Sequence, residues 1–164
     1  MCVVLGMKNY TILKVILSIT ICLAVGGLSG YLTSGSITTW YVGINKPSFN
    51  PPNWIFGPVW TTLYTLMGVS AGLIWSKGLE SSTTKKALYV FGIHLALNFS
   101  WSLIFFGLEQ PLWAFIEILF LLSSIFYFTN LFYRISPVTG WLQVPYILWV
   151  SFATTLNGAI AWLN

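Results

Sequence analysis

The side chains able to do chemistry in this sequence are few, and they sit in apolar surroundings. The single histidine, His94, stands four residues before Asn98, with Trp101 and Ser102 just beyond. Helical positions three, four, seven and eight apart share a face, so these residues form one polar edge at the depth of an apolar run. Trp60, Tyr64 and Met67 share a second face. Trp149, Ala153 and Asn157 share a third, with Tyr146 one turn before. A tryptophan followed one turn later by a small residue leaves a slot beside the ring. A flat apolar ligand fits such a slot as well as a neighbouring helix does. The chemistry these faces offer is stacking with a few hydrogen bonds. No nucleophile stands beside a base, and no cluster has metal-ligand spacing, so the sequence calls for no cofactor and no metal. A lone membrane histidine is more often a hydrogen-bonding group than an axial ligand. Glu117, early in an apolar run, is a functional candidate by its depth, or else a carboxylate solvated at the interface.

The elements that must position these faces follow from composition. Of 164 residues, 57% are hydrophobic and 6% charged, where a soluble domain carries roughly a quarter charged. Lipid must be the solvent, and the +4 net charge reads as a topology signal rather than a nucleic-acid surface. Cys2 and Cys22, one at the membrane edge and one within it, do not suit a disulfide. Five windows are long and apolar enough to cross a bilayer: about 12–32, 54–75, 87–107, 112–132 and 138–163. The expected fold is an all-α integral membrane protein, a bundle of five transmembrane helices in one domain over 1–164. Pro145 should bend the last helix. Lys8 and Lys14 before the first apolar run resemble a signal peptide, but the run continues too far, and it is read as a membrane helix.

Lys8, Lys14, Lys77, Lys85, Lys86 and Arg134 fall on one side of this arrangement and Lys46 alone on the other. By the positive-inside rule the N-terminus is cytoplasmic in a bacterial cell membrane. The loop between the first two helices, Thr33 to Asn53, is long for a compact bundle. It is rich in proline and aromatic residues, and is read as a structured lid rather than an interfacial anchor. Gly92, Ala96 and Ser100 make a small-residue stripe facing away from His94 and Asn98, a candidate homodimer seam. Gly26 with Gly30 and Gly68 with Gly72 repeat the spacing and are read as internal packing.

The run Trp40-Tyr41-Val42-Gly43-Ile44-Asn45-Lys46-Pro47-Ser48-Phe49-Asn50-Pro51-Pro52-Asn53-Trp54 resembles the first-loop signature of the TspO/translocator protein family, the former peripheral benzodiazepine receptors. Gly57-Pro58-Val59-Trp60, Leu63-Tyr64 and Met67-Gly68 continue the likeness. Leu97-Asn98-Phe99-Ser100-Trp101 with Phe105-Phe106-Gly107 resembles that family's third helix, and Pro145 to Asn157 its fifth. The resemblance implies five helices, a homodimer, and binding of tetrapyrroles such as protoporphyrin IX and of benzodiazepine-type ligands. It implies a pocket lined by Tyr41, Pro51, Trp60, Tyr64, His94, Asn98, Trp149 and Ala153. Some members degrade porphyrin in light, with two tryptophans implicated that match Trp60 and Trp149. The sterol pattern of animal members needs a basic residue after a tyrosine near the C-terminus, and no Lys or Arg follows Tyr146 here. Leu5-Tyr10-Lys14 fits only the loose consensus. The expected function is a membrane sensor of tetrapyrroles. The alternatives are a light-dependent porphyrin-degrading enzyme or a transporter of porphyrin or sterol, the last without an inverted repeat to support it.

Overall fold

The structure, a computed structural model, describes the backbone of residues 2–164 and the side chains from Tyr10 onward. Expectations placed on the side chains of Cys2, Leu5 and Lys8 lie outside the described residues. Seven α-helical segments follow one another: α1 (Cys2–Thr38), α2 (Trp40–Gly43), α3 (Phe56–Ser76), α4 (Ser82–Ser102), α5 (Pro111–Ile135), α6 (Pro137–Trp141) and α7 (Val144–Leu163). No strand occurs among the described residues.

Among the described residues, four helical stretches meet the length and hydropathy needed to span a membrane: Tyr10–Thr38, Ser82–Gly107, Pro111–Ile135 and Pro137–Leu163. The expected count of five spans is therefore met only in part. α3 is long enough at 21 residues, but Trp60, Thr61, Thr62, Tyr64 and Thr65 lower its mean hydropathy. Those residues are the ones that face other helices or back-bond. Thr61, Thr62 and Thr65 each donate to the carbonyl four residues earlier, at 2.8–2.9 Å.

Several boundaries differ from the sequence reading for visible reasons. α1 runs to Thr38 rather than ending near Leu32. Thr33, Ser34 and Thr38 donate to carbonyls three or four residues back, so their hydroxyls are satisfied inside the helix and the polar stretch continues it. The last helix is broken rather than bent. α6 stops at Trp141, and Pro145 falls in the first turn of α7, where its missing N–H is not needed. The break buries the Gln143 side chain, which donates to Ser70 Oγ at 2.7 Å. Ser70 donates onward to the Thr139 carbonyl at 3.2 Å, tying α3 to α6. At the end of α4 the chain makes one π-helical turn, Leu103–Gly107, and reverses at Glu109, whose φ is 57°.

α1 packs along α3, α4 against α5, and α5 against α7. Gly68 and Gly72 make the first of these seams, since a Cβ at either would collide with the backbone of Ile19 or Val15. That spacing is internal packing. Gly92 faces open space and Ala96 is exposed. Ser100, the third member of the expected dimer stripe, is half-buried and donates to Glu117 Oε1 at 3.2 Å. The core between the helices holds Met67, Phe91, His94, Phe128, Phe132 and Tyr146, each at most 5% exposed. The outer surface is apolar instead: Ile12, Ile16, Ile21, Leu28, Phe120 and Leu148 are all exposed. Such an inversion is stable only where hydrocarbon replaces water.

Candidate functional site

The loop after α1 closes one end of the bundle. α2 sets the Tyr41 ring into the structure, 4% exposed, against the aromatics of the π-helical turn. Tyr41 lies 6.2 Å from Phe105 and 5.4 Å from Phe106, centroid to centroid, and Trp40 lies 5.6 Å from Phe105. The Tyr41 hydroxyl donates to Asn50 Oδ1 at 2.8 Å. Burial pushes this phenol up from its ordinary range, and the hydrogen bond to Asn50 draws it partly back. Farther along, Asn45 is clamped to the end of α7. Its N–H donates to Asn164 Oδ1 at 2.9 Å, and Asn164 Nδ2 donates back to the Asn45 carbonyl at 3.0 Å. The segment is an ordered roof.

Beneath it lies a cavity of about 440 Å³, within the size range of small-ligand sites. α3 contributes Trp60 and Tyr64, and α4 contributes Asn98 and Trp101. The π-helical turn adds Phe105 and Phe106, and α7 adds Trp149, Ala153 and Asn157. The wall from α1 is of another kind: Gly26, Gly27, Ser29, Gly30 and Thr33. At Gly26 the absence of a side chain lets the Tyr64 ring approach, since a Cβ there would overlap it. No charged side chain is among the lining residues.

Six of the eight residues expected at a pocket therefore share this cavity: Tyr41, Trp60, Tyr64, Asn98, Trp149 and Ala153. Two do not. Pro51 lies in the roof and is not among the lining residues. His94 stands behind the wall, fully buried, with Nε2 3.0 Å from the Tyr146 hydroxyl and Nδ1 2.8 Å from Ser124 Oγ. The helical face that carries Asn98 to the cavity carries His94 one turn deeper into the α4–α5–α7 junction. Lys46, the lone basic residue read on that side of the membrane, is not among the lining residues and is held by its own loop. Its ammonium donates to the carbonyls of Val42 and Ile44 at 3.3 and 3.2 Å and lies 4.7 Å from the Tyr41 ring centre. The α1 wall was missed, because Gly26 and Gly30 read as a packing motif. Gly26 does pack, beneath the Tyr64 ring, while Gly30 leaves open space, and both also line the cavity.

Polar groups around the cavity are mostly engaged with each other. Trp101 Nε1 donates to Asn157 Oδ1 at 3.0 Å, and Asn157 Nδ2 donates to the Pro111 carbonyl at 2.8 Å. Tyr64 donates to Asn98 Oδ1, and Asn98 Nδ2 donates to Tyr146 at 2.7 Å. The Trp149 indole N–H is buried and has no partner. The arrangement can stack flat rings and meet a small number of polar edges. No nucleophile–base pair is built into it.

Residues 18–163 match the TspO/MBR family along nearly the whole described chain. The chain belongs to the TspO/MBR family. Among its relatives, the tryptophan-rich protein TspO of Archaeoglobus fulgidus is 41% identical over 153 residues, covering 93% of this chain and 98% of the relative. The human translocator protein is 41% identical over 121 residues, 72% of this chain and 70% of the relative. The tryptophan-rich sensory protein of Cereibacter sphaeroides is 34% identical over 125 residues, 76% and 77% of the two chains. Family membership and the exposed apolar helices together make this a membrane protein.

Proposed function

We propose that this TspO/MBR chain is a membrane receptor that binds a tetrapyrrole such as protoporphyrin IX and serves tetrapyrrole-linked regulation or stress sensing. The observation that carries the reading is the roofed cavity of about 440 Å³. Rings from the roof, α3, the end of α4 and α7 line it, with no charged side chain among them. A macrocycle's faces stack on such walls. An uncharged lining directs any carboxylates of the ligand away from the interior, because a buried unpaired charge is costly. The names of the relatives, sensory protein and translocator, agree with a binding role. Benzodiazepine-type ligands, flat and largely apolar, suit the same walls.

The same proposal counts α3 as a fifth membrane-crossing helix alongside the four more apolar stretches. It sets the N-terminus in the cytoplasm of a bacterial cell and the Trp40–Trp54 roof outside. The structure brings Lys14 to Trp75 and Lys86 to Tyr127, which supports gathering the basic helix ends on one side. The proposal also pairs two copies of the chain through the exposed Gly92 and Ala96.

A second reading, light-dependent degradation of bound porphyrin, is favoured by one observation: Trp60 and Trp149 line the same cavity. Titration with protoporphyrin IX in the dark and then under illumination separates the two. The receptor reading expects saturable binding in the dark and no light-dependent product. A new product that requires both light and Trp149 selects the enzyme. Absence of saturable binding removes both.

A further inference from the structure

A chain of hydrogen bonds runs from the cavity into the helix junction, and its direction can be worked out from its far end. Ser124 Oγ lies 2.6 Å from the Leu121 carbonyl oxygen. Two oxygens so close need a hydrogen between them, and the carbonyl has none, so Ser124 donates. Its only hydrogen is then spent, and it accepts from His94 Nδ1, 2.8 Å away. The imidazole is fully buried, packed on Phe91, Phe128 and Tyr146. Neither of its ring nitrogens meets an acid, so it is held neutral and Nε2 is an acceptor. Tyr146 donates to that nitrogen across 3.0 Å and must accept from Asn98 Nδ2 at 2.7 Å. The amide is thereby turned with Oδ1 toward Tyr64, whose hydroxyl donates to it. The hydroxyl hydrogens of Tyr64, Tyr146 and Ser124 are thus all spent within the chain or on the Leu121 carbonyl.

Tyr64 and Asn98 line the cavity, while Tyr146, His94 and Ser124 do not. The hydroxyl at the head of the chain has only lone pairs left. Tyr41, with its hydrogen given to Asn50, is in the same condition, and so is Thr33, which donates to the Ser29 carbonyl at 2.8 Å. The second amide hydrogen of Asn98 is the one donor this chain leaves over, and across the cavity the Trp149 indole N–H is a separate unspent donor that does not belong to the chain.

We infer that Ser124 and His94, without touching the ligand, hold the Tyr64 hydroxyl as a hydrogen-bond acceptor, so that the Tyr64 wall of the cavity favours flat ligands that present an N–H or O–H donor to it. Ser124 and His94 are positioning residues in this scheme, and Tyr64 is the selecting group. The inference rests on the cavity being the ligand site, but not on the ligand being a tetrapyrrole.

Carbazole and dibenzofuran test it, because they are tricyclic isosteres that differ only in N–H against ring oxygen. Equilibrium dialysis against the detergent-solubilised protein, with partition into empty micelles subtracted, gives their affinity ratio. Carbazole is expected to bind about three- to tenfold more tightly, the worth of one neutral hydrogen bond. The preference should vanish in Tyr64→Phe. It should also shrink in Ser124→Ala, which frees the imidazole to exchange its proton between nitrogens, and return in Ser124→Thr. Loss of packing alone would weaken both probes together and leave the ratio unchanged. Equal affinities in the wild-type protein, or a ratio indifferent to Tyr64→Phe and Ser124→Ala, overturn the inference while leaving the cavity as a binding site. Binding of neither probe sinks the site itself, and the inference with it.

Discussion

The indole N–H of Trp101 donates to the Asn157 side-chain oxygen at 3.0 Å, joining the end of α4 to α7 along the wall of the cavity. Asn157 is 2% exposed and also holds the Pro111 carbonyl at 2.8 Å, so one amide ties together three helix segments. Asn157→Leu should leave a buried donor and a buried acceptor without partners, at about 1–3 kcal/mol. At roughly 2–4 °C for each kcal/mol in a chain of this size, thermal unfolding in detergent should shift down by several degrees. Trp101→Phe removes the donor together with its need and should cost less. An unchanged melting temperature in Asn157→Leu would show the link to be incidental.

Ala153→Leu should fill the space beside Trp149 while the helix and the apolar exterior stay as they are. Overpacking at about 1–3 kcal/mol predicts roughly a tenfold or greater loss of protoporphyrin affinity. Normal affinity with an intact fold would remove the α7 face from the binding site. Trp149→Phe keeps an aromatic surface, so dark binding should fall only modestly. If porphyrin loss under light falls much further than binding does, Trp149 donates electrons as well as packing. Equal falls in the two measurements make it a packing residue.

The two glycine stripes should respond in opposite ways. Gly68→Ala drives a methyl group into the Ile19 backbone and should strongly destabilise the α1–α3 seam, seen as poor yield or a lowered melting temperature. Gly92→Ala meets open space and should leave the single chain unharmed. Ala96→Leu should shift the species seen on size-exclusion chromatography from dimer toward monomer by holding the two backbones apart. A dimer indifferent to Ala96→Leu would place the seam on another face.

Opening the roof should change rates more than affinities. Asn45→Ala removes its side-chain donation to the Leu163 carbonyl at 3.2 Å and loosens the clamp on Asn164. Ligand dissociation, followed by dilution or competition, should quicken several-fold with little change in melting temperature. An unaltered off-rate would mean that the roof does not gate the cavity.

Much of this architecture was legible in the residues, and the failures have identifiable physics. Apolar windows located the long helices because lipid demands uninterrupted hydrocarbon. They could not foresee that Thr33, Ser34 and Thr38 would extend α1 by satisfying their own hydroxyls. They also gave no sign that the last span would break at Leu142 and Gln143, where a buried side chain reaches across to Ser70. The family resemblance, not spacing, brought Trp60, Tyr64, Asn98, Trp149 and Ala153 to one cavity; helical spacing only set Trp60 with Tyr64 and Trp149 with Ala153 on shared faces. It placed His94 beside Asn98 correctly on the helix but could not tell the wall from what lies behind it, since both positions share the face. Lys46 was read by its charge alone. The local turn of the roof delivers its ammonium to two backbone carbonyls and a tyrosine ring, contacts no spacing rule foretells.

The clamp between Asn45 and Asn164 spans 119 positions of sequence, and this fixes an order in time. A chain made from its N-terminus onward completes α1, the roof segment and α3 well before α7. Until α7 arrives the roof has nothing to fasten to, and the cavity lacks Trp149, Ala153 and Asn157. The Trp101 indole has no acceptor, and Tyr64 and Asn98 border an open slot. Closure of the cavity is thus the final step of the protein's own biogenesis.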